Sequence, residues 1–325
     1  MSVVSQQSQF SGMSDIAIER YDELKKAEWD MCVKNALNEH LLFYRDFMDY
    51  HSDRFVDHSL LMRRKGKIVG VFPANEREGV LYSHQGLTFG GLIHGSTVYA
   101  SDVMDFYSLL ILYMKQHHFS RLICKPSPYH YHAGPCEAQL YALWRIGAAV
   151  VETHLSTGVD YGYNVAMTEL RKRGVKKALK CGVELSESTE WSQYLEMLAE
   201  TLCKHHAVPK HTSEELTLLH SRFPHRIRLV VAKKNHSLLA GVLLFLTNTT
   251  VHTQYISVND DGQKFGALDY LMSSLLEEYR GSHRYFCFGI STEEDGRVLN
   301  HGLLHQKEGF GGRAFLHNIY GLSLL

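Results

Sequence analysis

The sequence carries almost no net charge: 34 Lys and Arg stand against 35 Asp and Glu over 325 residues, a formal −1. No global basic surplus therefore advertises nucleic acid or anionic lipid as a partner, and any anionic ligand must meet a local patch. Cysteines are few and scattered. The six (Cys32, Cys124, Cys136, Cys181, Cys203, Cys287) form no C-x-x-C pair and no dense framework, which excludes a small disulfide scaffold and implies reduced, mostly buried thiols. Long apolar runs are also missing. The longest, around 238–246, is roughly half of what a bilayer crossing needs, and residues 1–15 lack both the basic start and the apolar stretch of a signal peptide. A soluble, cytoplasmic protein with a short flexible N-terminal tail is expected. No Gly-x-Ser-x-Gly elbow occurs and no cysteine has a local nucleophile signature, which argues against a covalent enzyme intermediate.

What is present is the material of a globular protein. Hydrophobic residues make up 45%, charged residues 21% and aromatics 11%, enough to build a full core and far from a disordered composition. The length suits two domains better than one. The 21 histidines titrate near neutrality, so net charge climbs quickly below about pH 6.5.

Periodicity gives the order of elements. Residues 27–40 read as a helix with Trp29, Val33 and Leu37 on one face. Residues 59–73 alternate around Arg64-Lys65-Gly66-Lys67 as a hairpin. A strand at 80–84, a loop from Gln85 to Gly91, a helix at 103–116, a strand at 121–124, a helix at 137–146 and a strand at 148–154 follow. The second half repeats this order, with a hairpin at 227–246, a strand at 250–257, a helix at 266–280 and a strand at 284–288. The pattern predicts two α/β units, each a mixed, mostly antiparallel sheet flanked by helices, packed side by side.

Between the halves, Arg171, Lys172, Arg173, Lys176, Lys177 and Lys180 form one basic run, which reads either as a phosphate-binding patch or as a solvated helix face at the junction. His130 and His132 with Cys136, and His205 and His206 with His211, are possible ligand sets, but neither has a standard structural-zinc spacing, and no metal is expected.

Gln263-Lys264-Phe265-Gly266-Ala267 lies between a strand and a helix, where backbone N–H groups can cradle phosphate. It resembles the Gln/Arg-x-x-Gly-x-Gly/Ala loop with which acetyltransferases of the GNAT superfamily grip the coenzyme A pyrophosphate, with Leu268 in place of the final small residue. Further on, Arg284 to Glu293, Leu299-Asn300-His301-Gly302-Leu303 and Gln306-Lys307-Glu308-Gly309-Phe310-Gly311-Gly312 place a Gly-rich segment after a strand, a common position for α/β sites. These segments, the run from Phe47 to Phe55, the Ser83 to Gly91 loop, and His252-Thr253-Gln254-Tyr255 resemble the Fem-type (FemAB-like) branch of the GNAT superfamily, which carries two tandem GNAT-like domains and transfers aminoacyl or acyl groups to amines of cell-envelope precursors.

The resemblance implies an N-terminal tail at 1–18 and GNAT-like domains at 19–160 and 161–325. It places Lys307 at the reaction centre, with Gln306 replacing the usual aromatic; a lysine there suits an oxyanion or a phosphate. His252 and Glu293 are the candidate bases. His252 and Gln254 share a strand face that Tyr255 leaves, so the three line one pocket only if the strand is bulged. Gln254, Tyr255, His84, Gln306 and Asn300 are the candidate substrate contacts, and Gln263, Lys264, Gly266 and Ala267 the candidate donor contacts. The activity so implied is transfer of an acyl group from acyl-CoA, acetyl-CoA foremost, to an amine of a nucleotide-linked sugar or another envelope-polysaccharide precursor. An aminoacyl-tRNA-dependent ligase is the rival within enzymes, disfavoured by the neutral charge and the short 183–224 span, and a non-catalytic binding protein is the rival outside them. No DNA partner is expected.

Overall fold

The computed structural model describes residues 15–163, 165–203 and 207–324. Most of the expected tail, and His205 and His206, lie outside these residues. Residues 16–18, read as tail, instead open the first strand, with Ile16 buried against Leu60 and Met62.

The first half runs β1 (Ile16–Arg20), α1 (Lys26–Lys34), α2 (Arg45–Met48), β2 (Val56–Asp57), β3 (Leu60–Arg64), β4 (Lys67–Phe72), β5 (Asn75–Arg77), β6 (Val80–Tyr82), β7 (Ile93–His94), α3 (Ala100–Gln116), β8 (Arg121–Cys124), α4 (Ala138–Arg145) and β9 (Ala149–Asp160). The second runs α5 (Glu169–Lys180), β10 (Glu184–Ser188), α6 (Trp191–Cys203), α7 (Ser213–Arg222), β11 (Ile227–Lys234), β12 (Ser237–Leu246), β13 (Thr250–Val258), α8 (Asp260–Phe265), α9 (Ala267–Glu278), β14 (Tyr285–Ile290), β15 (Thr292–Glu293), β16 (Val298–Leu299), α10 (His301–Gly309) and β17 (Arg313–Ser323).

Among the described residues, one eleven-stranded sheet has the order β10-β11-β12-β13-β14-β9-β17-β8-β6-β5-β2, and a smaller sheet has the order β1-β3-β4-β7. Only the β13/β14 and β6/β8 pairs among these strands are parallel. This is the mixed α/β, antiparallel-dominated architecture that the periodicity predicts. The two units do not simply pack side by side, however. β17 leaves the second half and inserts between β9 and β8, so one sheet runs across both; its alternation, with Phe315, His317 and Ile319 inward, fits a strand covered on one face.

Three apolar clusters hold this frame. Val103, Phe106, Tyr107, Leu110 and Met114 recur at helical spacing on α3 and cover Phe72, Leu81 and Leu122. Leu268, Leu271, Met272 and Leu275 of α9 do the same over Val242, Leu244 and Val251. The third cluster joins the halves: Trp29, Phe43 and Phe47 pack with Tyr194, Leu216 and Phe245. Each such side chain contributes about 1.5–3 kcal/mol by leaving water.

The helix expected at 27–40 stops at Lys34, because Asn38 is recruited as a bridge: its side chain donates to Leu92 O at 2.9 Å and accepts from His94 N at 3.1 Å.

Candidate active site

β13 and β14 pair only from Thr250↔Tyr285 to His252↔Cys287. Beyond that point β13 stays with β12 and β14 with β9, so the two part. Both carry an irregularity there. In β13 the register slips opposite Leu243/Leu244, leaving Gln254 unpaired; in β14 it slips between Cys287 and Ile290, with Gly289 at φ +73°. Between the parted strands opens a cavity of about 960 Å³, at the top of the range for small-molecule sites. Leu198, Leu202, Ile256, Met272, Phe288 and Phe310 make much of its wall apolar.

Lys307 lines this cavity and is 4% exposed. The Gly-rich segment expected to hold it as a loop is instead helix α10, started by Asn300, whose side chain accepts from Leu303 N at 2.9 Å. Gly302 and Gly309 lie within α10, and Gly311 and Gly312 make the turn into β17. From α10 the Lys307 Nζ donates to Gly289 O at 3.0 Å and Ile290 O at 2.5 Å, carbonyls at the β14 irregularity. Burial lowers its pKa to about 8, so the ammonium persists at neutral pH with one N–H left for a ligand.

The β13 bulge meets the condition set by strand alternation: His252, Gln254 and Tyr255 all line the cavity. The His252 Nδ1 lies 2.7 Å from the Tyr131 hydroxyl. The Tyr255 hydroxyl is 2.8 Å from His211 Nδ1 and accepts from Lys210 N at 3.0 Å. Gln306, Asn300 and Glu293 line the same space, with Asn300 Nδ2 donating to Glu293 Oε1 at 2.7 Å. Cys287 is 1% exposed beneath them, its sulfur 3.4 Å from Ser156 Oγ.

His84 is not brought to the cavity. It is buried in the first half, stacked on His51 at 5.3 Å. Gln263, Lys264, Gly266 and Ala267 are also outside the cavity lining, though their neighbour Leu268 belongs to it. Gln263 and Lys264 are exposed, Lys264 paired with Asp261 at 3.0 Å. Gly266 adopts φ +73° and turns α8 into α9, but a Cβ there would collide with the Gly174 carbonyl of α5. The start of α8 is already capped by Asn259, whose side chain accepts from Gly262 N at 2.8 Å, and Asp260 and Asp261 occupy its first turn. The helix that the expected cradle would open is α9, whose N-cap is Gly266 with no side-chain cap and whose first turn carries Asp269, paired with Arg171 of α5 at 2.8 Å.

Sequence reasoning did not reach Tyr131 or His154 as cavity residues, nor Lys125 and His317, which also line it. The one signal available was a lysine ending the apolar strand β8, at the strand end where sites gather. Among the described residues no group of three or more His, Cys, Asp or Glu is arranged to hold a metal. Of the considered ligand sets, Cys136 contacts His94 Nε2 at 3.4 Å and His132 Nε2 contacts Ser127 O at 2.9 Å, so each has a separate partner.

Residues 168–295 match the family model of the acetyltransferase (GNAT) domain. No curated protein sequence matches the chain. Among solved structures, the fold is similar to the crystal structure of FemX, at 12% identity and TM-score 0.67 over 95% of this chain and 97% of that one. It is similar to L-PGS from Bacillus licheniformis, at 11% identity and TM-score 0.60 over 92% and 91%. A tandem GNAT protein from the clavulanic acid biosynthesis pathway is similar at 11% identity and TM-score 0.51 over 95% and 98%. At such identities the likeness carries the fold and leaves the substrate open. Among the described residues no helix is long and apolar enough to cross a membrane.

Proposed function

Since residues 168–295 match the GNAT acetyltransferase domain and the fold of the chain is similar to those of FemX and a tandem GNAT protein, we propose that the protein transfers an acyl group to an amine of a small envelope-type precursor by direct attack in the cavity between β13 and β14. The observation that carries this reading is the Lys307 ammonium, held by two main-chain carbonyls at the point where the strands part. As the amine attacks the donor carbonyl, negative charge grows on the carbonyl oxygen, and the remaining Lys307 N–H stabilises it more in the transition state than in the ground state.

His252 takes the proton that the attacking nitrogen loses. In the tautomer in which the Tyr131 oxygen accepts from Nδ1–H, Nε2 is the basic nitrogen. The carrier then leaves with its bonding electrons and a proton. Cys287 is too deeply buried to act as an intermediate acyl carrier, which suits transfer in one step.

Acyl-CoA, with acetyl-CoA foremost, is the donor that the 263–267 turn suggests. The state of that turn favours a second carrier, an aminoacyl-tRNA. Its glycine is packed on Gly174 and its residues stand outside the cavity lining, while Arg173, Lys176, Lys177 and Lys180 stand exposed on the adjoining α5, a surface suited to a phosphate backbone.

Melting in the presence of each carrier tests both readings, because a ligand bound only by the native state raises Tm. A rise with acetyl-CoA or with charged tRNA identifies the donor. No rise with either contradicts the transferase reading and leaves a fold kept for binding alone.

A further inference from the structure

At the first-half end of the cavity sits a cation with too few partners. Lys125, just past β8, donates from Nζ to Leu87 O at 2.5 Å, which uses one of its three N–H groups. Among the described residues it makes no ion pair; the carboxylate it senses, Glu152, lies instead 3.6 Å from His154 Nε2. Beside it, His317 is 5% exposed and its Nε2 has no hydrogen-bond partner among the described residues. Burial, and after it the Lys125 charge, lower the His317 pKa to about 3, so this ring is neutral. Lys125 and His317 both line the cavity. An incompletely paired ammonium and an unpartnered buried imidazole in a mainly apolar space are costly unless a ligand completes them.

We propose that Lys125 and His317 form a carboxylate-binding subsite, and that the acceptor is therefore an amine that also carries a carboxylate, as an amino acid or a peptide end does. One ammonium and a neutral imidazole match a single negative charge. A phosphate dianion carries a second charge that one lysine point charge leaves unmatched; no arginine lines the cavity among the described residues, and Glu293, which does, opposes a second charge. The subsite is joined to the base. Phe89 lies edge-on to His317 at 4.9 Å and packs on Tyr131 at 4.7 Å, and Tyr131 reaches His252. An acceptor anchored at Lys125 thus lies along the wall that leads to the reacting nitrogen's base.

The word acceptor rests on the transferase reading, whereas carboxylate binding does not. Calorimetric titration of the full chain with hexanoate, hexanol and inorganic phosphate, with no acyl donor present, tests the subsite by itself. Hexanoate should bind at least about tenfold more tightly than hexanol, and phosphate in excess should leave hexanoate binding unchanged. Lys125→Met should weaken hexanoate about 10- to 100-fold, the loss expected for a hydrogen bond to a charged group. If that variant does not fold, His317→Phe, which keeps an aromatic ring and removes its nitrogens while leaving Lys307 untouched, is read in its place and should weaken hexanoate as well, full affinity again overturning the proposal. Equal binding of hexanol, displacement by phosphate, or full affinity in a folded Lys125→Met variant overturns the proposal. A lack of acyl transfer would refute the proposed function and leave these titrations as they stand.

Discussion

The Tyr131 hydroxyl of the first half and Nδ1 of His252 in the second are 2.7 Å apart. This contact crosses the two halves at the point where the cavity opens, and it engages Nδ1 of His252. Tyr131→Phe keeps the ring and removes the hydroxyl, so kcat should fall about tenfold with little change in KM, while His252→Ala should cost about 10²-fold or more. The double variant should be no slower than His252→Ala alone, because the tyrosine acts through the histidine. Multiplying losses in steady-state kinetics would separate the two residues.

Gly266→Val should act on stability. The backbone there is left-handed and the Gly174 carbonyl fills the space a Cβ needs, so strain and overpacking together should cost about 2–5 kcal/mol. Urea unfolding measures this loss. A variant as stable as wild type would mean that α5 yields to the side chain.

Acid should unfold the protein through its buried histidines. Burial depresses His84 and His317 to about 3 and His132 and His211 to about 4, and holds His40 well below its ordinary value. These rings are neutral when folded but take up protons when unfolded, below about pH 6.5. The stability they contribute is therefore whole above pH 6.5 and is lost as pH falls toward 4, by at most about 1.4 kcal/mol per pH unit for each. Urea midpoints at pH 7.5 and 5.5 should differ accordingly; equal midpoints would place these rings in water.

Transfer in one step predicts that no acyl group rests on the chain. Intact mass spectra taken after incubation with acetyl-CoA alone, or with aminoacyl-tRNA alone, should show the unmodified protein. An added acyl mass that disappears in Cys287→Ala would place a thioester on the pathway.

Periodicity was legible where one face is buried. Helix α3, strand β8, the β11/β12 hairpin and α9 fall within a few residues of their expected positions, because apolar spacing records which side meets the core. Long-range pairing left no such trace. Nothing in residues 313–323 states that they will pair between β9 and β8, and nothing around Asn38 states that it will bridge Leu92 and His94. At the site, Lys307 stood out by its glycine-rich surroundings, yet these residues form a helix, and the carbonyls that hold the lysine come from a bulge in another strand. At the donor turn the glycine packs closely on Gly174 of α5, a use that the local pattern shares with phosphate binding. Lys125 was missed because its meaning lies in what surrounds it after folding.

The most direct test follows label from donor to amine. Purified protein is mixed with acyl-labelled acetyl-CoA, or with labelled aminoacyl-tRNA, and a pool of cellular amines, and the label reaching the amine fraction is measured for wild type and Lys307→Ala. Wild type should move label from one of the two donors into an amide, and Lys307→Ala, folded and still binding that donor, should do so about 10²- to 10³-fold more slowly. Transfer at the wild-type rate by the alanine variant would contradict the account.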